Sequence, residues 1–143
     1  MQDRSYLADC SALTLLALFR SGDASPVEAA RAVLDRIARL NPVLNAFCLV
    51  APEQALAAAR ASEERWRRRA PIGELDGVPV SVKDLILAAG WPTLRGSRTV
   101  DPKGPWDVDA PAVARLREAG AVILGKTTTP EFGCKGEIGR AHV

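Results

Sequence analysis

The sequence predicts an α/β fold in which N-terminal helices lead into the start of a mixed, mostly parallel sheet. Three observations carry this. Apolar residues recur at threes and fours through the first 69 residues and stop at turn residues. From Pro71 onward the texture changes to turns and short β-branched runs. A helical pattern then lies between two apolar strands, Val78–Val82 and Ala121–Leu124, the order expected of a parallel pair joined by a right-handed crossover and buried on both faces.

The first helix is expected over Ser11–Arg20, ended by Gly22. Ser25-Pro26-Val27-Glu28 has the form of a capping box: the serine accepts from the third helical N–H, the proline needs no donor at the first position, and the glutamate reaches back. Val27, Ala30, Val33, Leu34, Ile37 and Leu40 follow on one face, and the helix is expected to end before Pro42, because the residue preceding a proline disfavours the helical region. A third helix should begin near Pro52 and run through an alanine-rich stretch to Arg69. Its closing Arg65-Trp66-Arg67-Arg68-Arg69 could serve as a nucleic-acid patch. Basic residues in a last turn also complement the helix dipole, and Glu63 and Glu64 lie one turn upstream, so a solvated helix end is the favoured reading.

In the α/β part, Gly73 and Asp76-Gly77 flank the first strand. After a loop rich in Gly and Pro, Asp109 is placed to cap a helix with Pro111 in its first turn, running to Gly120. Ala121-Val122-Ile123-Leu124 is the second strand.

Composition excludes several classes. Hydrophobic residues at 48% and charged residues at 25% describe a folded domain rather than a disordered chain. Nineteen basic against 17 acidic residues give a net charge of +2, too even to make nucleic acid or an anionic membrane an obligatory partner. Three scattered cysteines, Cys10, Cys48 and Cys134, suggest neither a disulfide framework nor a metal site and fit a reducing cytoplasm. The one histidine, His142, sits beside the C-terminus, which argues against a Ser-His-Asp triad within this chain. Neither a secretion signal nor an apolar run of about 18 residues occurs, so no membrane span is expected.

Two motifs bear on chemistry. Gly120-Ala121-Val122-Ile123-Leu124-Gly125-Lys126-Thr127 matches the phosphate-binding pattern GxxxxGKS/T letter for letter, which raises a nucleotide-binding module using Gly125-Lys126-Thr127. The context is wrong for it: a helix precedes Gly120, the four intervening residues read as a strand, and Pro130 follows soon after Lys126. The second candidate is Lys83, at the carboxyl end of the first strand, where ligands gather in open α/β sheets. Alternation puts Ser81 and Lys83 on one face and the valines on the other. A lysine in apolar surroundings loses affinity for its proton and can act as a base. From spacing alone, the favoured reading is an amine that reaches solvent or pairs with Asp84 or another carboxylate.

The run Gly73-Glu74-Leu75-Asp76-Gly77-Val78-Pro79-Val80-Ser81-Val82-Lys83-Asp84, followed by Gly90-Trp91-Pro92-Thr93 and Gly96-Ser97, resembles the first signature block of the amidase-signature family. Asp109-Ala110-Pro111-Ala112-Val113, Leu116-Arg117-Glu118-Ala119-Gly120-Ala121 and Gly125-Lys126-Thr127-Thr128-Thr129-Pro130-Glu131-Phe132-Gly133 resemble its next block, and the upstream helices with Leu44-Asn45-Ala46-Phe47 resemble its N-terminal region.

The resemblance implies hydrolysis of the amide bond of a small molecule through an acyl-enzyme formed by a Ser–cis-Ser–Lys triad, with no metal or organic cofactor. Lys83 matches the catalytic lysine. Lys126 is then a framework residue, and the Thr127–Gly133 loop borders the acyl pocket. Residues 1–136 are expected to be the N-terminal part of one amidase-signature domain, with helices over 11–69 and the α/β part over 72–136. Both family serines come after the segment matching Phe132–Gly136, so the fold is expected to be truncated before them and the fragment inactive alone. Residues 137–143 do not resemble the family's continuation; Ile138-Gly139-Arg140-Ala141-His142-Val143 reads as a translated sequencing adapter, a non-native tail.

A stand-alone amidase is favoured over the glutamine-hydrolysing subunit of a tRNA-dependent amidotransferase, because that subunit's usual GKTNMDEF phrase is GKTTTPEF here. A non-catalytic interaction remnant, pairing through an exposed sheet edge, is a further alternative. Substrate identity and oligomeric state are not legible.

Overall fold

A computed structural model describes residues 4–134, so the tail read at 137–143 lies outside the described residues. A short 3₁₀ turn (Ser5–Asp9) precedes helix α1 (Ala12–Ser21). The Ser11 hydroxyl accepts from the Thr14 N–H at 3.1 Å, and Gly22 closes the helix in the left-handed region. Helix α2 (Pro26–Leu44) opens on the expected capping box: the Glu28 N–H donates to Ser25 Oγ at 3.2 Å, and the Ser25 N–H to Glu28 Oε2 at 2.9 Å. Val27, Ala30, Leu34 and Ile37 of its face are buried and Val33 is partly buried, whereas Leu40 is 39% exposed and stands outside the core.

Pro42 does not end this helix but lies within its last turn. So close to the end, the missing N–H removes only one helical hydrogen bond, and local contacts compensate. Asn45 adopts the left-handed conformation and donates its N–H to the Asn41 carbonyl at 2.7 Å. The Asn41 side chain then clamps Phe47, accepting from its N–H at 2.8 Å and donating to its carbonyl at 3.1 Å.

That clamp launches a strand the sequence reading did not anticipate, β1 (Phe47–Val50). Helix α3 (Pro52–Arg67) follows and stops two residues short of Arg69, which takes a positive φ. Strand β2 (Pro79–Lys83), helix α4 (Pro111–Glu118) and strand β3 (Val122–Thr127) complete the α/β part, with a 3₁₀ turn at Glu131–Gly133. Asp109 does not cap α4. The N-cap is Ala110, without a side-chain bond, and the Asp109 carboxylate accepts from the Ala89 N–H at 2.6 Å and Arg117 Nε at 2.9 Å.

The sheet order is β1-β3-β2, with β2 parallel and β1 antiparallel to β3, a mixed sheet as expected. β3 is three residues longer at its end than the apolar run suggested, and it is buried along nearly its whole length. β2 departs from the expectation of burial on both faces, since Ser81 and Lys83 are exposed while Val82 is buried. At Gly125 the β1 backbone comes so close that a Cβ would lie 2.1 Å from the Leu49 carbonyl oxygen. The central core joins α2 and α3 to Val122 and Leu124. A second cluster around Val82, Trp91, Val113 and Ile123 supports β2.

Candidate active site

Lys83 is the last residue of β2, in register with Thr127 of β3. Strand alternation turns it outward, and its Nζ donates to the Thr128 carbonyl. Among the described residues no ion pair involves Lys83. The next residue, Asp84, turns inward and is buried, anchored by its N–H to the Thr127 carbonyl at 3.0 Å.

The partner of Asp84 is Lys126, which is 0% exposed. Lys126 Nζ lies 2.9 Å from Asp84 Oδ1, donates to the Pro92 carbonyl at 2.9 Å, and donates to the Thr93 hydroxyl. An ammonium has three protons, and these three acceptors match them. A buried cation is stable only when paired and fully hydrogen-bonded, and Lys126 meets both conditions. Gly125-Lys126-Thr127 therefore forms strand, and its amine faces no solvent that could bring a nucleotide phosphate.

Beside this lock lies a cleft of about 470 Å³, lined among others by Cys48, Leu49, Asp84, Leu94, Thr128 and Thr129. Thr128 links it to Lys83, because its carbonyl holds the lysine amine while the residue lines the cleft. Two loops close one wall. Ser97 Oγ donates to Glu131 Oε1 at 2.6 Å, and the Phe132 N–H donates to the Arg95 carbonyl at 2.8 Å. Gly96, at φ +63°, sits where a Cβ would fall 2.5 Å from the Thr129 carbonyl oxygen. Burial pushes the Cys48 thiol above its ordinary value, and the Asp84 carboxylate adds to the rise.

A separate buried pair fixes the entry to β2. Asp76 accepts from Arg65 Nε at 2.9 Å, from Arg65 Nη2 at 2.6 Å and from the Ile72 N–H at 2.9 Å. Burial alone would raise the Asp76 carboxyl, but these donors hold it below the usual carboxylate range. Arg67 and Arg68 pair with Glu63 and Glu64. The basic end of α3 is thus largely committed to internal partners.

Sequence reasoning singled out Lys83 and took Lys126 as framework, but it did not see that Lys126 pairs with Asp84, nor the Ser97–Glu131 clasp. The one local signal was a lysine continuing the apolar run Val122-Ile123-Leu124. Among the described residues no cluster of acidic, cysteine and histidine side chains is arranged to hold a metal. No helix among them is long and apolar enough to cross a membrane.

A family model described as Amidase matches residues 28–138 of the 143. The chain belongs to the amidase-signature family. Among curated relatives, it is 41% identical over 132 residues to a glutamyl-tRNA(Gln) amidotransferase subunit of Chloroflexus aggregans, covering 92% of this chain and 26% of that protein. The subunit of the same name from Salinispora arenicola is 44% identical over 126 residues, with 88% and 26% covered. Among solved structures, the native peptide amidase from Stenotrophomonas maltophilia superposes with a TM-score of 0.81 at 34% identity, covering 91% of this chain and 26% of that one. A bacterial aryl acylamidase of the amidase-signature family gives 0.78 at 30%, with 89% and 26% covered. The chain spans about a quarter of the length of these relatives. The amidase-signature fold thus accounts for the helices, the mixed sheet and the order of the motifs.

Proposed function

We propose that the protein carrying this segment hydrolyses the amide bond of a small molecule through an acyl-enzyme, and that Lys83 is the lysine of its Ser–cis-Ser–Lys triad. The observation that carries this reading is the environment of Lys83. It stands at the carboxyl end of a parallel strand, beside a cleft, and its amine is held by a neutral carbonyl rather than a carboxylate. An amine not tied up by a carboxylate is available to exchange a proton with the bridging serine, as a base requires. The neutral amine takes a proton from the nucleophilic serine by way of the bridging serine, and returns it to the leaving amine when the acyl-enzyme forms. Water then deacylates the enzyme over the same relay.

Residues 1–136 act in this reading as the N-terminal part of one domain. The serines belong to the family block that follows the segment resembling Phe132-Gly133-Cys134, so the 143 residues alone supply the lysine and part of the sheet without turnover. The three free cysteines and even charge support a cytoplasmic location. The test is ammonia release from simple amides. The 143-residue chain should release none, and release that disappears with Lys83→Ala would overturn the claim of inactivity.

A second reading within the family is a glutamine-hydrolysing amidotransferase subunit, favoured by the 41–44% identity to two curated relatives of that name. In the protein continued through the serine block, strong preference for glutamine over simple and aryl amides would support it.

A further inference from the structure

We infer that Lys126 is a positioning residue for Lys83, and that it works by balancing the buried charge of Asp84, one backbone step from the base. The inference rests on the reading of Lys83 as the base. Lys83 and Asp84 are consecutive, so the two charges are separated by one backbone step although strand alternation points their side chains to opposite faces. The structure separates them: Asp84 turns inward against Lys126, and Lys83 turns outward to the Thr128 carbonyl.

The strand registry makes the separation part of the site. Val82 pairs with Lys126 and Lys83 with Thr127, so the residues that hold Asp84 and Lys83 come from the end of β3 and the residue just after it. Pro92 and Thr93 complete the ammonium's acceptors and fix Lys126 in place. The buried pair is neutral as a unit. Removing its cation leaves an uncompensated buried carboxylate on the residue after Lys83, whose field favours the protonated amine. Removing its anion leaves an uncompensated ammonium and disfavours it.

Trace acetylation of the 143-residue chain at mildly alkaline pH, read by mass spectrometry, tests this without turnover. Exposed Lys103 serves as the internal standard. Lys126→Met should lower the Lys83-to-Lys103 labelling ratio at least about threefold, Asp84→Asn should raise it by a similar factor, and the double variant should return it to the wild-type value. A merely structural role moves both single variants in the same direction, and that result overturns the proposal, as does a ratio unchanged in both. Should Lys126→Met lose its helical circular dichroism, Asp84→Asn, which keeps an oxygen acceptor for Lys126, decides alone: a rise supports the proposal, and no change or a fall overturns it. Because labelling needs no serine, these outcomes are independent of whether Lys83→Ala abolishes hydrolysis in the continued protein.

Discussion

Replacing Arg65 by methionine should destabilise the fold by about 2–3 kcal/mol at neutral pH. Breaking a buried ion pair costs roughly 3–5 kcal/mol when the remaining charge is trapped. The Asp76 side chain is fully buried, but that of Arg65 is 27% exposed, so solvent screening reduces the figure. For a chain of this size a urea slope of about 2 kcal/mol per molar converts the loss into a midpoint shift of roughly 1–1.5 M. Urea unfolding followed by circular dichroism measures it. The pH dependence has a definite sign. Arg65 holds the Asp76 carboxyl below its ordinary value, so the stability it confers is present above the ordinary carboxylate value and is lost as pH falls through the lower folded value. The gap between wild type and Arg65→Met should therefore be largest near neutrality and shrink on acidification. A shift below about 0.3 M, or a gap that widens in acid, would refute the assignment of Asp76 as a trapped carboxylate.

Gly125→Ala should cost about 2 kcal/mol or more, because the new Cβ drives β1 away from β3 at Leu49; hydrogen exchange of the Leu49 and Gly125 amides should rise while that of α2 changes less. Asp84→Asn should speed alkylation of Cys48 at fixed neutral pH by a few-fold, since it removes a charge that raises the thiol; an unchanged rate counts against that coupling. Ser25→Ala should lower stability by about 1 kcal/mol through loss of the cap on α2, readable as a lower urea midpoint.

What the sequence made legible was local. The Ser25–Glu28 capping box is written in four consecutive residues, and the α2 face in its own spacing, so both could be read directly. β1 could not, because four residues carry little periodicity and its partner β3 lies far along the chain. Pro42 and Asp109 misled for a related reason. Rules for helix ends describe isolated helices, whereas Asn41 clamps Phe47 just beyond the helix and Asp109 bridges Ala89 to Arg117, contacts that lie outside the helix itself. Lys83 stood out as a candidate through the motif around it. Its electrostatic setting was not legible, since the partner of the adjacent Asp84 is Lys126, brought close only by sheet pairing. The same pairing explains why the letters of a phosphate loop here spell a buried strand.

The most direct test of the central claim is the turnover number, toward a simple amide, of the protein in which this segment continues through the family's serine block, with and without Lys83→Ala. If Lys83 is the base, the substitution lowers kcat by about 100-fold or more while urea stability is retained. A Lys83→Ala protein that is folded and turns over within a few-fold of wild type would contradict it.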